Sequence, residues 1–460
     1  MRVAGLLGAN ALIFCIGLGV LPWLGAARSW RELVSRYGLA YLCGLVVTGI
    51  LAAHLALVHV SFGWAALAVA ALVSAVSGAW HLRGTERPSW TRPRWPTLAA
   101  AAALAALLAE YARAFAVAPL NRYDAWAIWA LKGHALYAFG WADPAVFAGS
   151  QYRFANLDYP LLVPSLEAID FRAMGAFDTR LLHLQFLLLL VAALAALGTV
   201  LAGRVHSLVL WLLLGAVALA PAVFTQLQTA YADLPLALVF AVGVAAAGRW
   251  VLTNEHWALA LGTLCFAGAL LMKNEGTLFV AAAFAGLFAA AYRRWRPLAL
   301  ALLVDVVVLL PWKLYVRVHD LRDINYSLTD TFDVHHINGR LGVGPIAVRT
   351  LAREMLDPRQ WGLLAPIFAA VLAVAAVRGA RPLALFAGVT VLLSWLGLSW
   401  IYVISHFEYS AYLDSTKERV VASVVLAAAA LVPLLATSAW SDERELLVAG
   451  EPGHADAHEP

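Results

Sequence analysis

Long apolar runs separated by short polar segments dominate this chain. A helix of roughly 20 apolar residues crosses a membrane, and on that measure the pattern predicts about thirteen spans. Backbone polar groups inside lipid must be satisfied within closed elements, so the predicted fold is all-α, a polytopic transmembrane helix bundle. The predicted spans are 5–25, 38–58, 63–81, 97–117, 181–202, 206–223, 231–248, 257–272, 276–292, 297–315, 361–377, 383–404 and 420–437.

Composition agrees with the pattern. Of 460 residues, 63% are hydrophobic and 13% are charged, whereas a soluble globular chain is roughly 45–50% apolar and about 25% charged. A water-soluble fold of this size is therefore excluded. The net charge of +4 comes with basic residues clustered between apolar runs, which indicates cytoplasmic loops rather than a nucleic-acid partner. The three cysteines lie within apolar runs without metal-type spacing, so we interpret them as small apolar residues.

The arginines predict which way the spans run. Four clusters follow the first, third, ninth and eleventh predicted spans, which puts all of them on one face. That face is the cytoplasmic one by the positive-inside rule. We expect a transmembrane domain over 1–440, outer loops at 118–180, 316–360 and 405–419, and a disordered cytoplasmic tail over 441–460. The arginines concerned are Arg28, Arg31 and Arg36; Arg83, Arg87, Arg92 and Arg94; Arg293, Arg294 and Arg296; Arg378 and Arg381.

The first outer loop opens on Asp124, followed by a segment from 125 to about 139 that predicts an amphipathic helix lying in the membrane interface. Trp126, Trp129 and Tyr137 would share one stripe of that helix. Asp124 stands where a helix cap is expected. It therefore has two interpretations, a capping residue or a general base held at the membrane surface.

Two further acids stand beside prolines on the same predicted face. Asp158 precedes Tyr159 and Pro160, where it could simply form a turn. Asp233 begins the seventh span with Pro235 in its first turn, where an acid suits a helix start. Each could instead face a polar cavity.

The charged run from Lys273 to Glu275 lies between two spans with almost no loop. A charge in a membrane costs about 2.5–3.5 kcal/mol at a helix centre and less at its ends, so such residues usually line a cavity or pair with partners. The alternative is a tight hairpin with a lysine that reaches the interface. Arg419, directly before the last span, is either a phosphate-binding cation or an interface anchor.

Two other acids, Glu110 and Asp305, lie within predicted spans and are functional candidates without an assigned partner. A stronger indication of a functional site is that the other charged candidates share the predicted outer face. We expect one water-filled cavity there, with Asp124, Lys273 and Arg419 within about 15 Å of one another. The residues predicted to meet are Asp124, Asp158, Asp233, Lys273, Glu275 and Arg419.

The runs YDAWAIWALKGHALY, DYPLLVPSLEA, YADLPLA and MKNEG resemble bacterial integral-membrane glycosyltransferases of the GT-C class. Within that class, the runs resemble the protein O-mannosyltransferases and the lipid A aminoarabinose transferase. The resemblance covers roughly 122–300, with a weaker match at Arg419. In those members the corresponding loop follows the first span and often carries two adjacent acids. Here it follows the fourth and Asp124 stands alone, so 1–96 would hold extra N-terminal spans.

The resemblance implies a polyprenyl-phosphate-linked sugar donor and a lipid, glycan or protein acceptor at the outer face of the bacterial inner membrane. It implies that Asp124 is the catalytic base, and it leaves a divalent metal cofactor open. The cations that would bind the donor phosphate are Lys132, Lys273 and Arg419. The residues that would shape the pocket are Asp158, Tyr159, Asp233 and Glu275.

Two other functions stay open. A transporter or flippase for a lipid-linked or small anionic substrate predicts broken helices in matching halves and an acid relay through the bilayer. Asp305 alone points that way. A structural membrane subunit predicts charges dispersed over the outer face.

Overall fold

The computed structural model describes residues 2–86, 95–321, 324–326 and 328–440, and these form a helical bundle. The strand-like feature within those ranges is an isolated bridge between Tyr326 and Ser405. The helices are α1 Arg2–Trp23, α2 Trp30–Ser35, α3 Ala40–Leu57, α4 Trp64–His81, α5 Trp95–Phe115, α6 Leu131–Phe139, α7 Pro144–Phe147, α8 Leu162–Met174, α9 Thr179–Leu201, α10 Ser207–Leu219, α11 Pro221–Thr229, α12 Asp233–Thr253, α13 His256–Leu270, α14 Glu275–Ala291, α15 Trp295–Val318, α16 Val334–Asn338, α17 Val343–Met355, α18 Pro358–Trp361, α19 Leu364–Val377, α20 Arg381–Ile404, α21 Tyr409–Val420 and α22 Ala422–Trp440.

The chain is a multi-pass membrane protein by the length and apolarity of its helices. Within the described ranges, nine helical stretches are long and apolar enough to cross a membrane. Helices α10 and α11 form a further candidate bent by 49°, and α13 and α19 are shorter apolar helices. Every predicted span coincides with a helix, while the number that cross the membrane stays a prediction.

Helices α14 and α15 follow each other with only a short turn between them, yet the chain reverses direction there. Ala291 has φ −138° and ψ 34°, outside the helical region, and a short 3₁₀ turn comes next. Near the end of α15, Trp312 Nε1 donates to the Asp158 carbonyl at 3.2 Å. Just before α14, the Asn274 amide donates to the Asp158 carboxylate. The far end of α15 therefore returns to the start of α14, and the two helices are antiparallel.

Arginines of two predicted cytoplasmic clusters lie at one end of the bundle, together with Arg249. The guanidinium groups of Arg36 and Arg249 lie 4.6 and 4.8 Å from the Trp257 ring centre, and Arg294 donates to carbonyls at the end of α12. Asp233, the first residue of α12, lies about 24 Å away along that helix, at 1.5 Å per residue. We call the two ends the arginine end and the cavity end. Arg87, Arg92 and Arg94 lie outside the described residues.

The predicted outer loops contain helices of their own. The segment 118–180 holds α6, α7 and α8; 316–360 holds α16 to α18; and 405–419 holds most of α21. Helix α8 is almost entirely buried and packs on α1 and α3, so the N-terminal helices belong to the bundle. The predicted tail over 441–460 lies outside the described residues.

The predicted interfacial helix over 125–139 is wrong in detail. Residues Ala125–Ala130 form a π-helical turn that leads into α6. Trp126 is 51% exposed and Trp129 only 1%, so they do not share a stripe. Hydrogen bonds from i to i+5 widen the turn, and residues three apart then no longer align.

Candidate functional site

A cavity of about 490 Å³ opens at the cavity end of the bundle. Its walls come from the π-helical turn, the start of α12, the hairpin before α14, the 324–325 segment and α21. Six of the eight predicted site residues line it: Asp124, Tyr159, Asp233, Lys273, Glu275 and Arg419. Lys132 and Asp158 lie behind its wall.

Lys273 lies between two carboxylates on the cavity floor. Its Nζ is 2.8 Å from Asp233 Oδ1 and 3.0 Å from Glu275 Oε1, and all three side chains are only 5–7% exposed. Burial alone would lower the pKa of Lys273, but the two carboxylates outweigh burial and raise that pKa above its ordinary value. The lysine is therefore held charged inside the protein, and the interpretation as a hairpin lysine reaching the interface is wrong.

Arg419 pairs with Asp124 across the cavity. The Arg419 guanidinium binds the Asp124 carboxylate and lies 4.8 Å from the Tyr231 ring centre. Asp124 makes no side-chain capping bond to the turn that it precedes, so capping does not explain this carboxylate. Arg419 lies in the last turn of α21 rather than at the start of the final span, a correction to the sequence prediction.

Lys132 forms part of the layer behind the cavity. Its side chain is fully buried, and its Nζ donates to the Asn156 carbonyl at 3.0 Å. The same nitrogen lies 4.9 Å from the Trp129 ring centre and 5.5 Å from that of Tyr159. Burial lowers the pKa of Lys132 to about 7 despite nearby carboxylates. Its position supports a role in holding the cavity wall, and does not support the predicted contact with a donor phosphate.

Asp158 and Tyr159 join the first long loop to the rest of the site. Asp158 lies in a turn, which was one of its two interpretations from the sequence. Its carboxylate also accepts a hydrogen bond from Asn274. Burial raises the pKa of Asp158. The Tyr159 hydroxyl accepts a hydrogen bond from Asn325 Nδ2 at 3.0 Å, and its ring stacks on Trp129 at 5.6 Å.

Sequence reasoning missed the wall that α21 contributes. The apolar pattern predicts a loop for this segment, yet Ala411, Ser415 and Arg419 recur at i, i+4 and i+8 and all line the cavity. Tyr412 and Thr416 recur at the same spacing. That spacing marks one face of a helix and was the available signal. Asn325, also missed, carries no comparable pattern.

The other flagged acids lie outside the cavity. Glu110 is exposed and pairs with Arg113 on its own helix at 2.8 Å. Asp305 is buried, and neither carboxylate oxygen has a hydrogen-bonding partner within the described residues. In the same part of the chain, no group of three or more His, Cys, Asp or Glu residues is arranged to hold a metal ion. The described side chains thus form no ligand set for a divalent metal.

The cavity has an acidic surplus, and both of its predicted cations are already paired. Two buried atoms among the described residues lack a partner there, Arg419 Nε and Glu275 Oε2. An anion entering this cavity must therefore compete with carboxylates for the cations, and would release a carboxylate as it binds. The charged residues of the lining are Asp124, Asp233, Glu275 and Glu408, and Lys273 and Arg419.

Comparison of the chain with protein-family models, with curated proteins and with solved structures gives no match. The four short runs that resemble the GT-C class therefore remain a sequence-based expectation. A function for this chain has to be inferred from the residues and geometry of the cavity.

Proposed function

We propose that this protein is a glycosyltransferase that moves a sugar from a polyprenyl-phosphate donor to an acceptor hydroxyl at the outer face of a bacterial inner membrane. The observation that supports it most is one cavity that holds both a paired carboxylate, Asp124, and two cations, Lys273 and Arg419. Transfer from a phosphate carrier needs a base for the acceptor and positive charge for the departing phosphate.

The proposed topology has thirteen crossings. It counts α10 with α11 as one bent span, α14 and α15 as two, and α13 and α19 as short spans. The positive-inside rule then places the arginine end in the cytoplasm and the cavity end outside. A lipid-linked donor could reach that cavity from the outer leaflet.

The rim of the cavity suits an amphiphilic donor. Tyr123, Phe154, Ile324 and Phe407 line the cavity and are exposed. An apolar rim above a charged floor matches a molecule with a hydrocarbon tail and a phosphate head. A soluble nucleotide sugar would leave that rim facing water.

The ion pairs of the cavity suggest an order of events. Donor phosphate binds Arg419 and Lys273, and so displaces Asp124 from Arg419. Asp124 then accepts the proton of the acceptor hydroxyl while that oxygen attacks C1 of the sugar. The bond from C1 to the phosphate oxygen breaks, and the phosphate leaves with the electron pair, stabilised by the cations.

One observation keeps the transporter function as a second candidate. Glu167 and Asp170 on α8 are 1% exposed, and both carry oxygens without a hydrogen-bonding partner in the described structure. Buried acids within a membrane bundle are typical of proton relays. A structural subunit fits less well, because it predicts dispersed charges rather than one shared cavity.

The test uses membrane vesicles that contain the protein and radiolabelled polyprenyl-phosphate sugar. Asp124→Ala should lower transfer by about 10²–10⁴-fold, the usual contribution of a general base. Glu110→Ala is the control, since Glu110 is an exposed acid outside the cavity. Transfer that survives Asp124→Ala in correctly folded protein would refute the proposal. Uptake of substrate without transfer, unaffected by Asp124→Ala, would favour the transporter.

A further inference from the structure

A second cavity of about 140 Å³ lies on the other side of Arg419. It is formed by α11, the start of the first long loop, α18 and α21. Ser415 and Arg419, one turn apart on α21, line both cavities. The pair of Arg419 with Asp124 therefore lies where the two cavities meet, so a group bound in either one would reach the same carboxylate.

The lining of the second cavity is polar and balanced in charge. Ala222 is its apolar member, and the other side chains offer hydroxyl, amide, phenol or charged groups. Arg122 and Arg419 are offset by Glu418 and by the Asp124 partner of Arg419. Neutral groups that both donate and accept hydrogen bonds fit such a lining best, and hydroxyls are of that kind. The neutral polar residues are Thr225, Gln226, Thr229, Tyr231, Gln360 and Ser415.

Gln226 indicates that a ligand belongs here. Its side chain is only 5% exposed, its Nε2 donates to the Glu418 carbonyl at 3.3 Å, and its Oε1 has no partner within the described residues. A buried acceptor without a donor is costly. Arg419 Nε is likewise a buried donor without a partner in the described structure. A polyhydroxylated ligand could satisfy both kinds of group, because a hydroxyl donates through its hydrogen and accepts through its oxygen.

We infer that the second cavity binds the acceptor through a compact polyhydroxylated group, a sugar ring, and so makes a glycan or glycolipid the acceptor class. The inference rests on the proposed function, since it is the transfer reaction that requires a second substrate beside Asp124. An acyl chain would leave Gln226 Oε1 without a donor, because it carries no N–H or O–H group. The volume is less than a third of the main cavity, which suits one ring rather than a lipid head with its tail.

The test measures sugar binding directly and needs no transfer. Purified full-length protein in detergent is studied by saturation-transfer NMR with methyl glycosides of glucose, galactose, mannose and arabinose, and with cyclohexyl methyl ether as a probe that has no hydroxyl. At least one glycoside should bind while cyclohexyl methyl ether does not. Gln226→Leu should weaken that binding by about tenfold, the usual worth of one hydrogen bond to a buried group. Thr225→Trp should block the cavity, and Thr225 is exposed, so this change is compatible with folding.

Gln228→Leu is the matched control, a glutamine two residues along the same helix and outside both cavity linings. Glu275→Gln alters the main cavity alone. Binding that is lost in Gln226→Leu and Thr225→Trp but kept in Gln228→Leu and Glu275→Gln supports the inference. No glycoside binding, or binding lost through Glu275→Gln and kept in Gln226→Leu, would overturn it. Binding without any transfer would overturn the proposed function and keep the site.

Discussion

Removing the Lys273 ammonium should destabilise the protein more than any exposed charge does. The change is Lys273→Met, which keeps the length of the side chain and removes the charge. Asp233 and Glu275 would then be two carboxylates, 5–6% exposed, without their cation. Breaking a buried ion pair by removing one partner costs about 3–5 kcal/mol. We expect a loss of that size in the free energy of unfolding.

Removing the two carboxylates as well should rescue that loss. Asp233→Asn together with Glu275→Gln removes the charges that Lys273→Met leaves unpaired, so the triple variant should recover most of the stability. The measurement is reversible unfolding in mixed detergent micelles, followed by tryptophan fluorescence. Lys417→Met is the control, because Lys417 pairs with the exposed Asp414 and should cost less than about 1 kcal/mol.

Two results would refute this account. If Lys273→Met and Lys417→Met lowered the free energy of unfolding by equal small amounts, water would have to reach the buried charges around Lys273 freely. A triple variant as unstable as Lys273→Met would mean that the lysine acts through packing rather than through its charge.

Two further predictions concern the support of the cavity. Gly276→Ala should lower the free energy of unfolding by at least about 1–3 kcal/mol, because a Cβ there would lie 2.1 Å from the Ala269 carbonyl oxygen. Gly215→Ala is the control: Gly215 has open space around it, so this change should be neutral or stabilising in the same unfolding assay. Burial first, and Asp170 second, raise the pKa of Glu167 well above its ordinary value. The folded state then binds a proton that the unfolded state releases as pH rises above about 4.3, so stability falls with pH. Glu167→Gln should remove that fall and be more stable than the wild type at pH 7. Unfolding curves measured over a series of pH values would contradict this if the stability difference between Glu167→Gln and the wild type did not grow as pH rises.

The positions of the helices were predictable because the bilayer imposes a length and an apolarity that the sequence carries directly. All thirteen predicted spans coincide with helices. The bend between α10 and α11, 49° at Pro221, results from a proline that the span prediction treated as ordinary. Helix α21 was missed because its composition is polar, and a search for apolar runs does not detect a polar helix.

The site was predictable at the level of which residues share an end of the bundle. It was not predictable at the level of which residues pair. Asp124 and Arg419 are 295 residues apart in the sequence, and their contact depends on α21 folding back over the π-helical turn. Lys132 belongs to the same motif as Asp124, yet α6 directs it away from the cavity and into the layer behind. Spacing along the chain does not record that difference.

The pairing of Asp124 with Arg419 gives the cavity a property that its residue composition does not have. While the Arg419 guanidinium binds the Asp124 carboxylate, that carboxylate is not free to accept a hydrogen bond from an acceptor hydroxyl. Under the proposed function, an anion that takes Arg419 releases the Asp124 carboxylate when the donor binds. In the proposed reaction, charge alone then sets the order of binding: the phosphate must arrive before the carboxylate can accept a proton. An acceptor in the second cavity would meet an inactive Asp124 until the donor has bound, so water reaching that cavity would not be activated either.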